Sequence, residues 1–151
     1  MIIRAVRPEE TEALSDLAFR SKAYWGYDEA FMEACRKELT ILPAHLSSCH
    51  LRAAEQDGVL LGFYRLSPRE HEAELADFFV DPAAIGRQVG KKLWLHMLEL
   101  ARAQQIARVW IHSDPHAEGF YAKMGAVRAG DVRSTVFPDR ELPLMKIDLT
   151  G

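Results

Sequence analysis

Residues 73–112 constrain the fold more than any other stretch of this 151-residue chain. Leu75–Val80 reads as an apolar strand that breaks at Asp81-Pro82, and Leu93, Met97, Leu98 and Ala101 then fall on one face of a helix. Ala107–His112 (ARVWIH) is again a buried strand. Strand, helix and strand in that order imply a parallel pair joined by a right-handed crossover. Between the first strand and the helix lies a turn carrying Gly86 and Gly90. The first N–H groups of a helix lack intrahelical partners and its dipole favours negative charge there, so such a turn is an anion site. The spacing is neither that of GxxxxGK followed by Ser or Thr nor that of GxGxxG, because Gly86 and Gly90 are four apart with Gln88 between them. The residues alone therefore give an anion-binding turn with its ligand unnamed.

The remaining elements follow in order. Ile2–Val6 is a strand, and Pro8-Glu9-Glu10 opens a helix with Leu14, Leu17, Ala18 and Ser21 inward. Lys22–Tyr27 gathers three aromatics around one glycine, which suits either a cap on the core edge or the wall of a substrate pocket. Asp28 is placed to cap a helix over 29–39 with Phe31, Cys35 and Leu39 on one face. Ile41–Ser48 is a connection. Leu51–Glu55 and Val59–Leu66 are strands around the hairpin turn Gln56-Asp57-Gly58, and Gly62 marks a close backbone approach or a bulge. Pro68–His71 turns the chain. After the parallel unit, Asp114-Pro115 starts a short helix through Tyr121 and Lys123, closed by Gly125. Ala126–Arg133 and Leu142–Leu149 are antiparallel strands joined by a loop over 134–143. The sum is an α/β (α+β) chain, a mixed, largely antiparallel seven-stranded sheet flanked by about four helices.

Length gives one domain over residues 1–151. With 27% charged residues and a net charge of −3 there is no electrostatic reason to expect nucleic acid or an anionic membrane as partner. Cys35 and Cys49 fit no metal spacing, and HSDPH (112–116) is broken by proline, so no metal is expected. The start lacks the apolar core of a signal peptide and no run reaches spanning length, which points to the cytoplasm.

Two stretches together carry a specific resemblance. FFVDPAAIGRQVGKKL is similar to an apolar strand ending V-x-P followed by R/Q-x-x-G-x-G/A, with Ile85 on the Arg/Gln, Gln88 on the middle Gly and Gly90 on the last small residue. DPHAEGFYAKMGA resembles N-x-x-A-x-x-F-Y-x-x-x-G-F, with Asp114 on the Asn, Phe120-Tyr121 on the aromatic pair and Gly125 on the Gly. In that order, on matching elements over nearly the whole chain, they resemble the GNAT family of N-acetyltransferases. The resemblance implies acetyl-CoA as co-substrate and direct acetyl transfer to a primary amine of a small molecule or a protein. It places the pantetheine arm along Phe78, Phe79 and Val80 and the pyrophosphate on the N–H groups of Arg87, Gln88, Val89, Gly90 and Lys91, and it counts Ile85, Gly86, Asp114 and Phe120 among the residues that bind the co-substrate. A homodimer through the edge of the last strand is a further expectation. Ile85 and Gln88 depart from the motif; they favour the alternative of a catalytically silent module of this fold that binds CoA or an acyl-CoA as a sensor. A non-glycine residue at 88 costs about 1–2 kcal/mol if that position needs φ > 0.

Acetyl transfer to an amine needs a base, a polarised carbonyl and a proton for the departing thiolate. Tyr121 matches the family's general acid, against the plainer role of a core tyrosine. Glu74, at the start of the strand leading into the turn, resembles the base of some members. Asp77 is the second candidate, on the opposite strand face by period-2 alternation. The family's acceptor region supplies Tyr24, Trp25, Tyr27 and Asp28 from the helix junction, and Ser134–Arg140 from the last loop. Aromatic rings with an acidic residue suit a cationic amine, while Arg133 and Arg140 suit a carboxylate on the acceptor.

Overall fold

The structure is a computed structural model that describes residues 1–149; the last two residues of the predicted domain span lie outside the described residues. Seven strands form one sheet in the order β1-β2-β3-β4-β5-β7-β6. They are β1 (Ile2–Ala5), β2 (His50–Gln56), β3 (Val59–Arg69), β4 (Glu72–Val80), β5 (Arg108–His112), β6 (Val127–Arg133) and β7 (Glu141–Asp148). The helices are α1 (Thr11–Ala23), α2 (Glu29–Leu39), α3 (His45–Ser48), α4 (Val89–Ala103) and α5 (Glu118–Lys123). Among the described residues only β4–β5 is parallel, as the strand-helix-strand pattern requires. No helix of the described residues is long and apolar enough to cross a membrane.

The sheet divides the apolar residues into two cores. One face packs Leu93, Trp94, Met97 and Leu98 of α4 with Tyr121 of α5; the other packs Leu14, Leu17 and Ala18 of α1 with Met32, Cys35 and Leu39 of α2. Asp28 caps α2 as expected, its carboxylate accepting from Phe31 N at 2.8 Å. The buried face of α2 carries Met32 where the sequence reading put Phe31. That ring stands at the helix edge, stacked between Tyr27 and Phe137 at 4.1 and 4.6 Å. α3, a single turn, lies inside the stretch read as a plain connection. Gly62 is a close approach: a Cβ there would stand 2.8 Å from Phe79 O and 3.0 Å from Leu93 Cδ1.

Three strand expectations change. β3 continues through Pro68 to Arg69 and β4 begins at Glu72, so the turn is Glu70-His71 alone. β2 ends opposite Leu66, so Pro68 lies beyond it and its missing N–H goes unclaimed. β7 begins at Glu141 and lies between β5 and β6. The last strand is therefore interior, paired on both sides, and the free edges are β1 and β6; the edge offered for a homodimer is not there.

Candidate active site

The β4–β5 pair is short. Glu72, Ala73 and Glu74 pair with Arg108, Val109 and Trp110, and beyond them the strands separate although β4 runs on to Val80 and β5 to His112. Between β3 and β4, Arg65 pairs with Asp77 but Leu66 pairs with Leu75, which leaves Ala76 as an extra residue in β4. Asp81 N–H donates to Leu61 O at 2.8 Å. Alternation then turns the peptide groups of Phe78 and Val80 away from β3, toward the gap. The gap is part of a cleft of about 930 Å³, at the upper end of the usual range for small-molecule sites.

At one end of the cleft is the start of α4. Arg87 N–H donates to Ala84 O at 3.2 Å and Lys92 N–H to Gln88 O at 3.1 Å. Between them the N–H groups of Gln88, Val89, Gly90 and Lys91 have no partner among the described residues, and all four residues line the cleft. Gln88 takes the left-handed conformation, φ 59° and ψ 23°, so the glycine-like geometry is kept without glycine. Gly90 lets Phe120 close on the helix: a Cβ would meet that ring at 3.3 Å. Ile85 and Gly86 line the cleft. Arg87 does not contribute as expected, since its N–H is spent on Ala84 and its guanidinium reaches Gln56 Oε1 at 2.7 Å, outside the cleft.

Tyr121 lies at the middle, its ring buried against Phe78, Trp94 and Phe120. Among the described residues its hydroxyl makes no hydrogen bond, yet it is not enclosed, because the residue lines the cleft. Burial pushes its phenol up, with Asp114 and Asp77 adding to the effect, so the group is protonated at neutral pH.

The two carboxylates read as lying on opposite faces share one. Ala73 and Leu75 belong to the α4-side core and so do Phe78 and Val80, because the bulge at Ala76 resets the alternation. Glu74 and Asp77 both point to the α1–α2 side. Asp77, 6% exposed, is held by Arg65 Nε at 2.5 Å. Burial pushes its carboxyl up against that pull. Glu74 is 21% exposed; Oε1 accepts from the largely exposed Arg69 at 2.9 Å, and Oε2 is 3.9 Å from His112 Nδ1 across the parting strands. His112 was not singled out as an acid-base group, since a histidine ending a strand carries no signal until the neighbouring strand is known.

At the far end Asp114, which also lines the cleft, ties α1 and the α1–α2 connection to the stretch after β5, with Arg140 of the β6–β7 loop 3.8 Å away. It accepts from Lys22 Nζ at 3.0 Å, from the Tyr27 hydroxyl at 2.9 Å and from His116 N at 2.9 Å. Burial pushes its carboxyl up, but these donors outweigh it and hold it down at about 2. Burial, with the bond to Asp114, pushes the Tyr27 phenol up to about 12. Trp25 stacks on His116 at 5.1 Å, and Tyr24 meets Trp25 edge-on. Tyr24 and Trp25 line the cleft; Tyr27 stands behind it as a bridge, and Asp28 is spent on its cap outside the cleft. Lys22, from the segment read as a possible pocket wall, lines the cleft too, as do Cys35 and Glu38, which in the sequence looked like ordinary helix positions.

Comparison with known proteins agrees with this geometry. The PaiA N-acetyltransferase of Thermoplasma acidophilum, in complex with coenzyme A, has the same fold: TM-score 0.82, 20% identity, 97% of this chain and 98% of that one. A GCN5-related N-acetyltransferase from Rhodopseudomonas palustris superposes with a TM-score of 0.81 at 22% identity, over 98% and 95% of the chains. The 5-NmdU N-acetyltransferase of Pseudomonas phage PaMx11 is 24% identical over 133 residues, 87% of this chain and 90% of that protein. Residues 11–126 match the model of the acetyltransferase (GNAT) family, and the chain belongs to that family of N-acetyltransferases.

Proposed function

We propose that the protein acetylates a primary amine with acetyl-CoA bound in the gap between β4 and β5. The observation that carries this reading is the parting of two parallel strands, with four free helix N–H groups at one end and the Tyr121 hydroxyl in the middle. The residues present fit the group. The N–H groups of Gln88–Lys91 suit a diphosphate, and the open edge of β4 at Phe78 and Val80 suits the amide-bearing arm that would complete the sheet. Acetyl-CoA supplies the thioester. The chain's own residues then have three tasks. Peptide N–H groups of the β4 edge polarise the acetyl carbonyl, and Tyr121 gives its proton to the leaving sulfur. Glu74 takes the amine proton, directly or through one water. Glu74 suits this better than Asp77, whose Oδ2 is committed to Arg65.

Thiol release from acetyl-CoA over a panel of primary amines tests the reading. Tyr121→Phe should lower kcat about 10²-fold or more while calorimetry shows CoA bound as in wild type, and Glu74→Gln should remove the fall in rate on the acid side. CoA binding with no thiol release from any amine would instead support a sensor, and an unchanged kcat in Tyr121→Phe would remove the phenol from the mechanism.

A further inference from the structure

We infer that the acceptor carries an anionic group, a carboxylate or a phosphate, beside its amine, and that Arg140 is the residue that recognises it; this rests on the transferase reading of the same cleft. Arg140 ends the β6–β7 loop. Its guanidinium lies 5.0 Å from the Phe31 ring and 5.3 Å from the Tyr27 ring, within cation–π range of both. Among the described residues it gives one hydrogen bond, to the neutral Tyr27 hydroxyl at 2.7 Å, and Asp114 Oδ2 stands off at 3.8 Å. Asp114 has nothing to spare, being engaged by Lys22, Tyr27 and His116. Two cations therefore share one carboxylate, although Lys22 and Arg140 expose only 16% and 24% of their side chains and both line the cleft.

A guanidinium has five N–H donors, and leaving most of them unmatched in a half-buried place is costly. Arg133, exposed at the end of β6, lines the same cleft. Ser134 N–H bonds Arg140 O at 2.8 Å, drawing the two ends of the loop together. A two-oxygen anion satisfies such a fork in parallel pairs of bonds, as a lone hydroxyl does not. The opposite charge is present as well. Glu38 lines the same cleft as Lys22 and Arg140, so an anionic side chain stands in it beside the two cations. That pattern suits a small molecule with an amine at one end and an anion at the other.

The test is calorimetric titration of the CoA-loaded protein with matched pairs: α-amino acids against their amides, and aminoalkyl phosphates against the corresponding amino alcohols. An anionic member should bind at least about tenfold more tightly than its neutral partner. The arm in which this occurs tells carboxylate from phosphate. Arg140→Gln should erase the difference and Arg140→Lys restore part of it, with CoA affinity in the same titration checking each variant's fold. Equal binding within every pair, no binding of any anionic member, or a preference that survives in Arg140→Gln overturns the inference. Thiol release with neutral amines separates the two levels: if it proceeds while no anion preference exists, this inference alone falls, and if CoA itself fails to bind, the transferase reading falls with it.

Discussion

Gln88 shows what a motif departure means once its backbone is seen. The position does require the left-handed region, at φ 59°, so the chain carries a strain of about 1–2 kcal/mol there. Gln88→Gly should stabilise the protein by about 0.5–1 kcal/mol after glycine's own entropy is charged against it. A urea midpoint that moves down would show that the Gln88 side chain contributes more than the strain costs. Asp114 gives a prediction in pH. Its carboxyl is held at about 2, below the roughly 3.9 of an unfolded aspartate. The contribution is therefore complete above the unfolded value and fades as pH falls from there through about 2. Wild type should exceed Asp114→Asn in urea midpoint at pH 6, and the gap should shrink steadily on acidifying to pH 2.5. A gap that does not change with pH would mean the carboxylate's charge is not what Lys22 and Tyr27 hold.

At the scale of elements, β4 decides the chemistry, and it was only partly legible. Its apolar end, Leu75–Val80, was plain in the sequence, as was the turn into α4. The bulge at Ala76 was not, because AELADFFV alternates well enough to hide one extra residue, and period-2 counting then put Glu74 and Asp77 on opposite faces. What marks the bulge in the structure is the Arg65–Asp77 pair, with Asp77 buried and Arg65 partly so. Arg65→Met leaves Asp77 buried without its partner and should cost about 3–5 kcal/mol, most of it recovered in Arg65→Met with Asp77→Leu. Denaturant unfolding of the single and double variants checks this; equal stability of the two would mean that Asp77 is not held as an anion in the fold.

For the whole molecule, strand-helix-strand periodicity gave the parallel pair, and turn chemistry gave most of the antiparallel remainder. The order β5-β7-β6 was out of reach, since nothing in the sequence says that the last strand inserts beside β5 rather than adding at an edge. Tyr24, Trp25 and the 134–143 loop were legible through the family resemblance, but the cluster around Asp114 was not. Lys22 with Tyr27, Asp114 and Arg140 come from three separate parts of the chain and meet only once the sheet has brought the end of α1, the connection after β5 and the last loop together. The central claim is that CoA lies where β4 and β5 part, and the crystal structure of the CoA complex tests it most directly. The account predicts the diphosphate within hydrogen-bond distance of the N–H groups of Gln88–Lys91, the pantetheine arm along Phe78–Val80 and the thiol beside the Tyr121 hydroxyl. A diphosphate bound away from the start of α4, with the gap between β4 and β5 left empty, would contradict it.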